Sequence, residues 1–260
     1  MISKRLGAAA LMALSLTAAP FVAQKAEAAP IGLELVLAID VSGSVNSSEY
    51  ALQKGGYVQA FQSAAVQQAI AGLEGGIAVT VVEWSSLNAQ AQTVGWTFIN
   101  DAASAEAFAA AIDATSRTSS GNTAIGSAIN YSAALFDNNG FEGDRLVIDV
   151  SGDGSQNEGA DTQTARDNAV AAGIAINGLP ILGSESNLDT WYVNNVIGGA
   201  DSFSLPANSF AEFAAAIEKK LIGEITGTDP TTPVPEPATI ALFGFGLAGL
   251  GAVVRRRRKV

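Results

Sequence analysis

Apolar runs of six to nine residues alternate through the middle of the chain with segments whose apolar positions recur at helical spacing. "LELVLAI" (33–39), "GIAVTVVEW" (76–84), "AQTVGWTFI" (91–99), "RLVIDV" (145–150) and "IAINGLPI" (174–181) read as strands, with a brief further one at "DSFSL" (201–205). A helix is predicted from about residue 47, where Asn46 with Glu49 three positions on has the form of a capping box and Tyr50, Tyr57, Phe61 and Ala64 share one face. Further helices are predicted over 102–114, 124–136, "TARDNAVAA" (164–172), 188–196 and from 208 to about 222. Near-continuous apolar strands are buried on both faces, which implies a parallel sheet between helical layers. "SSLN" (85–88) is short enough to turn a hairpin, so one strand runs antiparallel. The expected fold is α/β: a doubly wound, mostly parallel sheet with one antiparallel edge strand and helices on both faces. No internal repeat is visible.

The two ends depart from this pattern. Lys4 and Arg5 precede an apolar stretch at 6–19, Pro20 breaks it, and "AEA" (26–28) offers small residues for cleavage, so residues 1–28 read as a secretory signal peptide; the alternative is a short buried first helix. Residues 30–225 form the expected folded domain. "TGTDPTTPVPEP" (226–237) is a Pro/Thr linker that cannot build core. It leads into 17 uncharged, mostly apolar residues at 238–254, near the lower limit for a membrane span, and then "RRRRK" (255–259), which would hold that end on the cytoplasmic side. Gly244, Ala248 and Ala252 stand at the four-residue spacing that lets two such helices pair.

Chemistry is narrowed by what the chain lacks. Among 260 residues there is no Cys and no His, which removes a Cys nucleophile, a Ser-His-Asp triad and an ordinary zinc site. Any metal must be held by oxygen. Between residues 30 and 230 stand 23 acidic side chains against six basic ones, a charge of −17. Such a surface repels phosphate backbones, so nucleic acid is not an expected partner, whereas divalent cations and cationic surfaces are.

Against that background the end of the first strand stands out. "DVSGS" puts Asp40, Ser42 and Ser44 at alternate positions, which an extended segment turns to one side, and Gly43 allows the tight turn that brings both hydroxyls together. In open α/β sheets ligands sit beyond the carboxyl ends of the strands, which is where this cluster lies. Taken singly, "DVSGS" also reads as a helix-capping turn, Thr123 as an N-cap and Asp153 as a turn residue before Gly154. Other patterns lead nowhere. "DVSGDGSQNEGA" from Asp149 has Ser151 and Ala160 where an EF-hand needs acidic ligands. "GFGLAG" at 244–249 follows no strand, and there is no Walker A sequence. An Asp-nucleophile phosphatase of the haloacid dehalogenase type carries a second Asp where this chain has Ser42.

"DVSGS", "GNTAIGSAI" (121–129) and "VIDVSGDG" (147–154) together resemble the three parts of the metal-ion-dependent adhesion site of von Willebrand factor A domains. "VVEWSS", "GWTFI", "INGLPIL" and "NVIGGADSF" extend the likeness to a bacterial subfamily of that superfamily, over roughly 33–225. The resemblance implies Ser42, Ser44 and Thr123 as direct or near-direct ligands, with Asp40 and Asp153 acting mainly through water. The cation would be Mg²⁺, or Mn²⁺ or Ca²⁺, with one coordination position open to a partner's carboxylate. Hydroxyls and water-bridged carboxylates suit Mg²⁺, which takes about six oxygens and keeps several waters. Glu83, Trp84, Asp149, Arg117 and Asn157 are placed to shape the site without ligating; Trp84 reads as core and Arg117 as a partner for buried carboxylates.

"VPEP" (234–237) before the apolar segment makes the C-terminus resemble the PEP-CTERM sorting signals of Gram-negative bacteria, which implies cutting by an exosortase. A permanent single-span anchor is the other reading. The expectation is an exported, surface-associated, non-enzymatic binding protein of the adhesion type, held transiently or permanently by its C-terminal helix. It would take a protein or matrix ligand through a metal-bridged carboxylate. The alternatives are a structural matrix component whose metal only stabilises the fold, and a hydrolase, which the lack of His and Cys disfavours.

Overall fold

A computed structural model describes residues 29–231. The elements run β1 (Ala29–Ile31), β2 (Leu33–Asp40), α1 (Ser47–Gln62), α2 (Ala64–Gly72), β3 (Ile77–Trp84), β4 (Gln90–Ile99), α3 (Ala102–Asp113), α4 (Ile125–Ala134), β5 (Phe141–Gly143), β6 (Leu146–Gly152), α5 (Thr162–Ala171), β7 (Ile174–Pro180), α6 (Leu188–Asn195), and a 3₁₀ turn (Phe210–Glu212) leading into α7 (Phe213–Thr226). β2 lies at the centre of a five-stranded sheet of order β4-β3-β2-β6-β7, in which only β4 runs antiparallel. The expected fold class is the one found.

Strand periodicity builds two separate cores from one sequence run. Leu33, Leu35 and Leu37 of β2 face one side and pack with Tyr57 and Phe61 of α1, Phe108 of α3, and Phe213 and Ile217 of α7. Val36 and Ala38 face the other and pack with Ile125 and Ile129 of α4, Ala165 of α5 and Tyr192 of α6. All eight residues of β2 are therefore buried, as its near-continuous apolar sequence leads one to expect, with Glu34 and Asp40 the charged exceptions. β4, paired on one side only, keeps a mixed pattern with exposed positions.

Three features differ from the sequence reading. The first helix breaks at Ser63, which ends α1 and caps α2 by accepting from the Val66 amide, so Ala64 is exposed rather than sharing a face with Tyr57 and Phe61. β1 and β5 form a small parallel pair. The segment read as a brief strand at 201–205 makes only one isolated bridge to β7, Ser204 to Gly178. The capping box on Asn46 and Glu49 is present in both directions. The predicted signal peptide and sorting segment lie outside the described residues, among which no helix is long and apolar enough to cross a membrane.

Candidate metal centre

β2 and β6 are parallel neighbours, so their carboxyl ends, Asp40 and Gly152, open on the same edge of the sheet. The chain after β2 turns at once. Asp40 Oδ1 accepts from the Ser42 amide at 2.7 Å, Val45 N–H donates to Ser42 O at 3.2 Å, and Gly43 N–H donates to Gly121 O at 2.7 Å. Ser42 and Ser44 hydroxyls are 3.1 Å apart, and Ser44 Oγ donates to Asp153 Oδ1 at 2.6 Å. Four of the five predicted residues thus form one hydrogen-bonded chain.

Thr123 lies on a different loop, tied alongside by backbone contacts. The Gly43–Gly121 bond brings that loop against the turn after β2, and Asn157 clamps Thr123 itself: its Oδ1 accepts from Thr123 N–H at 2.9 Å and its own amide donates to Thr123 O at 3.0 Å. The Thr123 hydroxyl does not cap α4, whose N-cap is Ala124 with no side-chain bond, so the capping alternative fails. No hydrogen bond links that hydroxyl to the other four residues.

The surroundings hold this geometry without supplying a cation to it. Arg117 Nη2 donates to the carbonyls of Val41 and Ser42, each at 2.7 Å, and Nε to Ser119 O. It fixes the turn rather than pairing with buried carboxylates as expected from the sequence. Glu83 is anchored by Tyr50 Oη and by the amide and hydroxyl of Thr118, which steadies the loop leading to Thr123. Trp84 is fully buried core. Asp149, first residue of the EF-hand-like pattern, is buried within β6 and ion-paired with Lys220 at 2.6 Å, so it cannot be a loop ligand.

Burial pushes the Asp40 carboxyl up to about 7, against the Ser42 hydrogen bonds that lower it. Asp153 is also raised, by burial and by the nearby charges of Glu49 and Glu185. Asp40 Oδ2 is wholly buried and has no hydrogen-bond partner. Two desolvated carboxylates, one of them with an orphaned oxygen, and the Ser42 and Ser44 hydroxyls make a donor set that fits a hard divalent cation. No group of three or more His, Cys, Asp or Glu that could hold a metal occurs among the described residues, so a site here relies on hydroxyls.

Residues 30–229 match the family described as "Protein of unknown function (DUF1194)". The chain belongs to this von Willebrand factor A-like family. Residues 233–258 match the PEP-CTERM protein-sorting motif, which indicates export to the envelope in Gram-negative bacteria. No curated protein matches the chain. Among solved structures it is similar to proximal thread matrix protein 1 from the mussel byssus, with zinc occupying its MIDAS motif, at 18% identity and a TM-score of 0.60 over 77% of this chain and 50% of that one. It is also similar to the pilus adhesin SpaC of Lactobacillus rhamnosus GG (15%, TM-score 0.56, 78% and 31% covered, open conformation) and to BatB of Bacteroides thetaiotaomicron (18%, TM-score 0.50, 76% and 100% covered). These likenesses establish the fold. The chain spans about half the length of the mussel protein and under a third of the adhesin.

Proposed function

We propose that this is an exported, surface-associated, non-enzymatic binding protein of the adhesion type, whose site takes a divalent cation and, through it, a carboxylate of a protein or matrix partner. Ser42, Ser44 and Thr123 would supply hydroxyl ligands, and Asp40 and Asp153 would act mainly through water. The bound cation would contribute an electrophilic position open to solvent. The observation that carries the reading is the convergence of Ser42, Ser44 and Asp153 beside an Asp40 whose second oxygen is buried without a partner. Mg²⁺, Mn²⁺ or Ca²⁺ would each be compatible with this oxygen-only set. The zinc-occupied MIDAS of the mussel matrix protein and the sorting motif at the C-terminus support the assignment.

Calorimetry on the purified chain should find one Mg²⁺ or Mn²⁺ site, lost in Asp40→Ala. A pull-down from the native envelope should recover a partner with Mg²⁺ and lose it with chelator while the domain stays folded. Unchanged cation affinity in Asp40→Ala would end the proposal. Unfolding on chelation, with no partner retained by Mg²⁺, would favour the alternative of a matrix component with a purely stabilising metal.

A further inference from the structure

Tyr192, on α6, belongs to an element that contributes none of the residues assigned to the site, yet its ring is laid toward it. The ring crosses the sheet over two glycines. A Cβ on Gly178 of β7 would meet Tyr192 Cδ1 at 2.9 Å, and one on Gly152 of β6 would meet Tyr192 Oη at 2.7 Å and Asp40 Oδ2 at 2.8 Å. Val150 pairs with Gly178 and Ile39 with Ser151, so Asp40, Gly152 and Gly178 stand on one face of three adjacent strands. Any side chain at 152 or 178 would block the path of the ring. Tyr192 is fully buried, and its hydroxyl, like Asp40 Oδ2, has no hydrogen-bond partner.

A buried phenol with a proton and no acceptor, and a buried carboxylate oxygen with no donor, each carry a desolvation cost that a shared contact would remove. Both converge on the same point above Gly152. A phenol carries its proton at neutral pH, so it can act as a donor to that oxygen. Asp40 Oδ1 is already held by the Ser42 amide.

We propose that Tyr192 is a positioning residue of the metal site, donating its phenolic proton to Asp40 Oδ2 and so fixing the carboxylate whose charge the cation needs. The inference rests on the cation-binding reading above. The contact orients the carboxylate from behind and leaves the solvent side of the site free. It also couples α6 to the turn after β2.

The test uses Mn²⁺ as the probe on the full chain purified in detergent, with affinity read by titration calorimetry and stability read separately in chelator. Tyr192→Phe keeps the ring and removes the hydroxyl; it should weaken Mn²⁺ binding about 10-fold or more, the range for groups that orient metal ligands. Its cation-free unfolding midpoint should change little, because in the cation-free chain the hydroxyl has no hydrogen-bond partner to lose and the contact to Asp40 Oδ2 forms with the cation bound. Gly152→Ala, which drives a methyl between the two oxygens, should weaken binding likewise. Wild-type affinity in Tyr192→Phe, or a loss matched by an equal loss of cation-free stability, would overturn the role of Tyr192 alone. Failure of the wild-type chain to bind Mn²⁺ at a single site would overturn the underlying reading, and this role with it.

Discussion

Ser44 donates its hydroxyl proton to Asp153 Oδ1 at 2.6 Å, joining two loops whose residues lie 109 positions apart in the sequence. The bond exists because β2 and β6 are adjacent and parallel, so the loops that follow them leave the sheet side by side. It is partly exposed, and a hydrogen bond of this kind contributes only about 0.5–1.5 kcal/mol to stability. Ser44→Ala should therefore cost the cation-free chain little, while Mg²⁺ affinity should drop by about 10-fold or more, since a proposed ligand and its orienting contact are lost together. Urea unfolding in chelator and calorimetry with Mg²⁺ separate the two effects. A large stability loss with unchanged affinity would make Ser44 a structural residue only.

Stability should depend on pH through two buried carboxyls. Burial raises Asp40 from 3.8 to about 7, and burial with the charge of Asp149 raises Glu224 from 4.5 to about 7. Both hold a proton more tightly folded than unfolded, so stability falls as pH rises from the ordinary carboxylate range to about 7 and levels off above it. Thermal unfolding in chelator should show Tm declining across that window. Glu224→Gln should remove one part of the slope, and saturating Mg²⁺ should diminish the part due to Asp40. A profile flat from pH 4 to 7 would contradict both assignments.

Lys220 is buried between Asp149, at 2.6 Å, and Glu224, and its ammonium also faces the Phe203 ring. The nearby Asn177 donates to Glu224 and accepts from the Phe203 amide, which ties the cluster to β7. Lys220→Met leaves two buried carboxylates without their cation and should cost about 3–5 kcal/mol in chemical denaturation. Adding Asp149→Asn and Glu224→Gln to that variant should return much of the loss, because the penalty comes from the unpaired charges. If the triple variant is no more stable than Lys220→Met, packing of the lysine stem is what matters.

The C-terminal signal carries a prediction about covalent structure. Mass spectrometry of protein recovered from the cell surface or medium should find a mature C-terminus near Pro235 and no Arg255–Arg258. Recovery of the surface fraction with the arginine run attached would show instead that residues 238–254 stay as a permanent anchor.

The sequence determined whatever depends on backbone periodicity and on the chemistry of neighbouring residues. The near-continuous apolar runs marked strands covered on both faces, Asn46 and Glu49 marked the start of α1, and alternation grouped Asp40 with Ser42 and Ser44 at a strand end. That Asp153 joins them was legible only through resemblance to a family, which also offers Thr123. In the folded chain the Ser44–Asp153 bond follows from the adjacency of β2 and β6, and the loop that carries Thr123 is brought alongside by the backbone bond of Gly43 to Gly121, which no single segment encodes. The Ser63 break was missed because helical spacing continues across it, while Ser63 itself takes an extended backbone and turns its hydroxyl to the Val66 amide. Arg117 was misjudged for a similar reason: its charge suggested a carboxylate partner, but the nearest acceptors are the carbonyls that the turn after β2 turns toward it. Tyr192 left no signal at all. Its hydroxyl comes to the same glycine as Asp40 Oδ2 only because Gly178 and Gly152, on two different strands, come into line when those strands pair, and side-chain alignment across a sheet is set by register rather than by sequence distance.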